Sequence, residues 1–345
     1  MRAAMLEDGK LTMRDIPTPD PREDEALVRL STSGVCHSDL HLARGDWPAY
    51  TASGRPMRLG HEGIGVVEAI GPGAERFVSV GDRVVLGLGG SGGGYWCGAC
   101  EYCLGGRPRL CRESKGIMGT FAEAIRLWAR SLVKLPESVG DAEVPLACGG
   151  LTAYGAVKKL IRHGVLPGKP IAIVGAAGGL GHYAIQIAND FGYKVIAVDV
   201  GPEKLRFARE QGATEAVDVD EAADVVRGRF GGAYASLVFA PKIAGFELGL
   251  RLLRRGGVFV SVGMPAASEG SLAISPLDLL ARDPLIMSSA VGTVEDMREL
   301  VDLAADGRVR THVSRTGRLS ELDTIFDELE AGHYTGRAIL DDLAT

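Results

Sequence analysis

The sequence predicts an α/β chain with a mostly-β N-terminal part, a doubly wound parallel sheet of the nucleotide-binding kind, and a helical tail beyond it. Three observations carry this. Apolar runs at 171–174, 195–198, 216–219, 237–239, 258–262 and 285–287 alternate with helical stretches, the pattern of a parallel sheet with helical crossovers. The first of these runs leads straight into a glycine-rich turn. Before residue 149 the apolar runs are short and broken by Gly, Pro and Asp, as expected of strands joined by turns.

Taken in order, 26–30 and 65–70 are β-type runs, and Gly71-Pro72-Gly73 and Gly81-Asp82 are turn signals. The cysteine-rich segment 97–111 reads as a loop. From Pro167 the alternation begins, and after the glycine turn a helix runs through Ala188. A later helix start is marked by Ser275 as N-cap, Pro276 at the first helical position and Asp278 in the first turn. Six strands complete the doubly wound unit by about Ala290, and helices at 294–305 and 321–331 lie beyond it. Gly89-Gly90-Ser91-Gly92-Gly93-Gly94 is the one low-complexity tract.

A chain of 345 residues is long enough for two domains. A net charge of −6 and a pI near 5.7 leave no basic excess for phosphates, which argues against nucleic acid as the main partner. Charged residues stand in Met1-Arg2-Ala3-Ala4-Met5-Leu6-Glu7-Asp8 where a signal peptide needs an apolar core. No uncharged run approaches a membrane span. Reduced, metal-bound cysteines fit a cytoplasmic protein.

The turn is Gly175-Ala-Ala-Gly178-Gly179-Leu180-Gly181, between a strand and a helix. In that context the glycines let backbone N–H groups approach a pyrophosphate at the positive end of the helix. Asp199 ends the second strand, 21 residues after Gly178. A carboxylate there accepts both ribose hydroxyls and repels the extra phosphate of NADP, and no arginine follows it. The expected cofactor is NAD. His182, just past the turn, reads as an exposed helix residue.

All six cysteines fall in metal-like settings. Cys97, Cys100, Cys103 and Cys111 form a C-x2-C-x2-C-x7-C run, as in a closed, structural zinc site. A pair of disulfides is the alternative, disfavoured by the tight C-x2-C spacing. Cys36 and Cys148 stand apart, and His61 is pinned between glycines in Gly60-His61-Glu62-Gly63. Two thiolates and one imidazole leave a fourth position open, as a catalytic zinc requires. Such a zinc is roughly neutral overall yet still a Lewis acid. It would favour loss of an alcohol's proton and hydride transfer to a nicotinamide.

With these motifs together, the chain resembles the zinc-dependent medium-chain alcohol dehydrogenases of bacterial and archaeal type, from Gly34-Val-Cys36-His37-Ser38-Asp39 to Gly336-Arg337-Ala338-Ile339-Leu340. The resemblance implies a GroES-like catalytic domain made from both chain ends, residues 1–149 and 291–345, with a Rossmann NAD-binding domain, residues 150–290, inserted between them. It implies two Zn2+ per chain: a catalytic zinc on Cys36, His61 and Cys148, and a structural zinc on the four-cysteine lobe. Ser38 matches the hydroxyl that takes the alcohol proton, and His41 the relay to solvent. Asp39 matches a carboxylate that orients the ligand histidine, and Glu62 the acidic neighbour of the zinc. Lys204 matches the lysine at the adenosine ribose, His37 and Arg337 positions near the pyrophosphate, and Thr152 one near the nicotinamide.

Cys148 as third ligand implies simple alcohols and aldehydes, since polyol-type relatives usually offer glutamate there. Trp47 matches an aromatic that narrows the pocket. Leu88, followed by the polyglycine stretch, replaces a common aromatic, a departure that could open the site to bulkier secondary or aromatic alcohols. The alternative function is a zinc-dependent dehydrogenase or reductase of a bulkier cyclic, aromatic or thioester-linked carbonyl substrate. A catalytically silent dinucleotide-binding relative should have lost a zinc ligand or the Ser38–His41 relay, and all are present. The resemblance further implies a homodimer or homotetramer built by extending the Rossmann sheet across subunits.

Overall fold

The apolar runs after Pro167 become six parallel strands in the order Glu215–Asp218, Lys194–Asp199, Pro170–Val174, Ala233–Val238, Leu253–Ser261 and Leu285–Ser288. In chain order this is 3-2-1-4-5-6, the doubly wound arrangement whose ligand crevice opens at the carboxyl ends where the winding reverses. The three central strands are almost wholly buried, because helices cover both faces of a parallel sheet and leave no polar side. The computed structural model describes residues 1–51, 55–87 and 94–345. These strands lie in a unit comprising Thr152–Ala290, and a second unit comprises Met1–Leu151 with Val291–Thr345.

In the Thr152–Ala290 unit the first strand ends at Val174, and the helix Gly181–Asp190 follows the glycine turn. A Cβ on Gly181 would lie 2.2 Å from the Gly175 carbonyl oxygen and 2.5 Å from that of Ala176. Only glycine lets the helix start this close to the strand end. His182 corrects an expectation: it is fully buried, stacked on Tyr183 with ring centroids 3.9 Å apart, and its Nδ1 lies 3.2 Å from the Gly178 oxygen. It packs the back of the turn instead of facing solvent. The helix Pro276–Arg282 begins as expected, with the Ser275 hydroxyl accepting from Asp278 N–H. At this edge of the unit Leu277, Leu280, Leu285 and Ile286 are exposed.

The other unit is built on the long strand Glu25–Val35. One edge pairs with Glu62–Ile70, and the other pairs first with Ala124–Trp128 and then with Arg337–Asp342. Sequence neighbours of the metal candidates thereby come together: Gly34 lies opposite Glu62 on one side and Ile339 on the other. Phe121, Leu59, Leu86, Ile125 and Phe326 fill the core beneath. The helices Val294–Ala305 and Leu322–Glu330 supply their apolar faces to this unit.

The mostly-β reading of this region misses one functional element, the helix His37–Arg44. Single α-helical turns also occur at Pro48–Thr51 and, within the cysteine lobe, at Glu101–Leu104. No helix among the described residues is long and apolar enough to cross a membrane.

The close approach at Gly181 makes a test of the fold. Gly181→Ala should cost about 1–3 kcal/mol as an overpacked contact and weaken dinucleotide binding, read by thermal melting and by NAD titration. Unchanged melting and binding would mean the turn has room that the 2.2 Å contact denies.

Candidate functional site

Cys36 ends the strand Glu25–Val35 and caps the helix His37–Arg44. His61 and Glu62 sit at the entry of the neighbouring strand. Cys148 lies between the 3-10 segment Asp141–Ala147 and the helix Gly149–Arg162. The fold brings these four side chains together, with ligand atoms all within 4.8 Å of one another and every residue buried. They come from three separate segments spread over more than a hundred residues, so only the tertiary structure makes the cluster.

Asp39 organises it from behind. Its fully buried carboxylate accepts from Gly60 N–H at 3.0 Å and from Cys36 N–H at 3.4 Å, and lies 3.1 Å from His61 Nδ1. A carboxylate on Nδ1 fixes the ring and leaves Nε2 as the ligand atom. That Nε2 is buried and has no hydrogen-bond partner. Beside it, the thiol of Cys148 donates to the Cys36 sulfur, which holds the Cys36 thiol well below the usual range and pushes that of Cys148 well above it. Burial opposes charge on His61, but Asp39 on one side and Cys36 on the other raise its pKa well above the ordinary value. An orphaned imidazole nitrogen facing two thiols is a soft donor set that suits zinc.

Glu62 is held by a guanidinium. Arg337 Nη2 lies 2.6 Å and 2.5 Å from its two oxygens, and both residues are buried. Burial pushes the Glu62 carboxyl up to about 7, with Arg337 pulling the other way. Gly34 makes room for this pair, since a Cβ there would lie 2.0 Å from Glu62 Oε2. Sequence reasoning singled out both Glu62 and Arg337 but not that they pair, because the match depends on the strand Arg337–Asp342 lying beside Glu25–Val35.

The helix His37–Arg44 carries the other candidates. Ser38 Oγ is 3.6 Å from Cys36 Sγ. His41 is buried, with Nδ1 2.7 Å from Asp46 Oδ2 and its ring 4.7 Å from that of Trp47. His37 is exposed at the helix start. Asp46 went unnoticed in the sequence. Leu88 lies outside the described residues, as does the glycine tract as far as Gly93.

The four lobe cysteines also converge within 4.8 Å. The separations Cys100–Cys103 and Cys97–Cys103, 3.5 and 3.9 Å between sulfurs, far exceed the roughly 2.05 Å of a disulfide. They approach the edge of a tetrahedron of Zn–S bonds, about 3.8 Å for bonds of about 2.3 Å. Backbone N–H groups of Ala99 and Cys100 bring the Cys97 thiol down to about 7. The lobe is tied to the sheet by aromatics that the motif search did not touch. Trp96 and Tyr95 pack on Trp128, and the Arg130 guanidinium lies over Trp96 and Trp128.

In the Thr152–Ala290 unit, Gly178 is exposed at the tip of the turn, and Gly179 and Leu180 lead into the helix that starts at Gly181. The first N–H groups of a helix have no partner within it, so the turn offers donors to a phosphate. Asp199 closes the turn from below, accepting from Ala177 N–H and Val200 N–H at 2.8 Å each, with Lys204 Nζ 3.9 Å away. This arrangement fits the adenosine half of a dinucleotide. Thr152 is buried in the helix Gly149–Arg162.

Comparison with known proteins agrees with this geometry. The family model of the alcohol dehydrogenase GroES-like domain matches residues 22–137, and that of zinc-binding dehydrogenases matches residues 179–306. An alcohol dehydrogenase of Geobacillus stearothermophilus is 38% identical over 99% of each chain. The alcohol dehydrogenase of the hyperthermophilic archaeon Aeropyrum pernix superposes with a TM-score of 0.87 at 34% identity, covering 99% of each chain. A solved NAD-dependent alcohol dehydrogenase gives a TM-score of 0.85 at 28% identity, again over 99% of each chain. With two cysteine clusters, a glycine turn and full-length likeness pointing the same way, the chain belongs to the zinc-dependent medium-chain alcohol dehydrogenases.

Proposed function

We propose that the protein is an NAD-dependent zinc alcohol dehydrogenase that moves a hydride reversibly between an alcohol and NAD, giving an aldehyde or ketone. The observation that carries this reading is the buried set Cys36, His61 and Cys148 with His61 Nε2 left unpartnered. In this reading Cys36, His61 and Cys148 hold one zinc and Cys97, Cys100, Cys103 and Cys111 a second. Zinc at the first set supplies a Lewis acid of low net charge, and NAD the hydride acceptor.

The side chains do the rest. Asp39 keeps the His61 ring in place, and Arg337 neutralises Glu62. The Ser38 hydroxyl takes the alcohol proton and hands it on through His41, whose imidazole can both accept and release a proton. The turn made by the glycines 175, 178, 179 and 181 with Leu180 lets backbone N–H groups at the helix start approach the pyrophosphate. Asp199 accepts from the ribose hydroxyls with Lys204 beside it, and its charge disfavours NADP. His37, Arg337 and Thr152 contact the cofactor on the strength of the family resemblance, and Trp47 narrows the substrate pocket.

Residues 1–149 and 291–345 form the catalytic domain in this reading, and residues 150–290 the cofactor domain. The protein works in the cytoplasm as a homodimer or homotetramer. The exposed Leu277, Leu280, Leu285 and Ile286 at the edge strand Leu285–Ser288 support a second copy joining there, since an uncovered apolar edge invites pairing.

Purified protein should reduce NAD, and NADP poorly, with some member of a panel of primary, secondary, cyclic and aromatic alcohols. The double change Asp199→Gly with Val200→Arg should move the preference toward NADP. Equal use of both cofactors by the wild type would overturn the role of Asp199, and no turnover of any alcohol would overturn the function. The same panel separates simple alcohols from bulkier carbonyl substrates.

Metal analysis should return two zinc ions per active chain. A chelator should remove activity before it unfolds the lobe, because the four-cysteine site has no open position. One zinc or none in fully active protein would refute the assignment.

Ser38→Ala should lower turnover by roughly 10²-fold or more, the scale of lost acid–base catalysis, with NAD binding nearly intact. His41→Gln should lose less and be partly restored by added buffer amines. Full activity in Ser38→Ala would mean that the proton leaves by another path.

A further inference from the structure

The helix His37–Arg44 ends at Gly45, and the chain doubles back so that Asp46 N–H donates to the His41 carbonyl at 2.9 Å. The turn also delivers the Asp46 carboxylate to the His41 ring, with Oδ2 2.7 Å from Nδ1. Trp47 then lies against that ring, and His37 approaches it with centroids 5.8 Å apart. His41 is thus held by a carboxylate at one nitrogen and by an aromatic surface. Its other nitrogen, Nε2, is buried and has no hydrogen-bond partner. A buried polar atom without a partner calls for a reason.

Asp46 supplies one. A neutral imidazole carries a single ring proton, and an ionised carboxylate can only accept. The 2.7 Å contact therefore places the proton on Nδ1 and leaves Nε2 as a bare lone pair. We propose that Asp46 is a positioning residue that fixes His41 in the Nδ1–H tautomer and so holds Nε2 ready to accept the proton released when an alcohol is oxidised.

This rests on the dehydrogenase reading given above. The balance is simple. Bound NAD would supply the acceptor for the hydride of the alcohol carbon, while the hydroxyl proton leaves through Ser38 and one proton arrives at His41 Nε2. The ring becomes an imidazolium, and its Nδ1–H then makes a charge-assisted bond to Asp46. The reverse reaction returns the same proton. Ser38 and His41 stand three residues apart on one helix and so share a face.

The test reads the tautomer directly. Protein labelled with 15N in its seven histidines, with the His41 signals identified by their loss in His41→Gln, is examined by two-bond 1H–15N correlation spectra. Wild type should show the Nδ1–H form. In Asp46→Asn the amide can turn either its oxygen or its NH2 to the ring, so an Nε2–H population should appear. Turnover should fall about 10-fold, a fraction of what acid–base catalysis provides, while NAD affinity and melting temperature stay at wild-type values. Asp46→Glu, which keeps the carboxylate, should recover part of the turnover.

An Nε2–H tautomer in the wild type overturns the proposal. So does an Asn variant that keeps the pure Nδ1–H form, or one that changes tautomer without losing turnover. Loss of turnover only in step with a lower melting temperature would make Asp46 a brace of the helix end, and also overturns it. A wild type that oxidises no alcohol overturns the dehydrogenase reading and the source of the proton. The spectra then still show whether Asp46 sets the tautomer.

Discussion

The buried carboxylate of Asp39 is the constraint on which the metal cluster depends. It receives the N–H groups of Cys36 and Gly60 and faces Nδ1 of His61, so one side chain ties the helix start, a strand entry and a ligand histidine together. An isolated carboxylate at such depth would be costly, and its hydrogen bonds are what make it tolerable. The same bonds decide which nitrogen of His61 is free. Stability and chemistry are therefore set by one group: unpairing Asp39 would both expose a buried charge and release the ring that it aims.

A second buried charge is balanced in the same volume. Glu62 and Arg337 face each other, both buried, and breaking such a pair by removing one partner typically costs about 3–5 kcal/mol. The pair also places a positive charge beside two thiols that a metal would need ionised. The absence of a side chain at Gly34 belongs to this arrangement as much as the charges do, because a Cβ there would occupy the place of the carboxylate.

What could be read from residues alone divides along physical lines. The six strands of the Thr152–Ala290 unit were legible because buried parallel strands are continuous apolar runs, and the helix at Pro276–Arg282 because Ser275 and Pro276 are strong local start signals. The cysteine spacing declared the lobe for the same reason, since its ligands are close in sequence. The helix His37–Arg44 was not legible. It is eight residues long, opens with His, Ser and Asp, and is held by Asp39 through tertiary bonds more than by its own periodicity. His182 was misread because a polar residue after a glycine turn reads as solvent-facing, whereas here Tyr183 and Phe207 enclose it. Asp46 and the Glu62–Arg337 pair required, respectively, a turn geometry and a strand pairing across some three hundred residues, neither of which leaves a local mark.

The long-range pairing of Glu25–Val35 with Arg337–Asp342 also bears on the order of events during synthesis. The inserted unit has all six of its strands once residue 290 has emerged, and domains fold as units as the chain lengthens. The surrounding unit cannot close its sheet until the strand around Ile339 is free to dock, so the end of Glu25–Val35 next to Cys36 keeps an unfilled edge while the chain is on the ribosome. Cys36 and His61 spend that interval without Arg337 to balance Glu62. All the strands of the nucleotide fold are thus synthesised before the residue that balances the metal cluster.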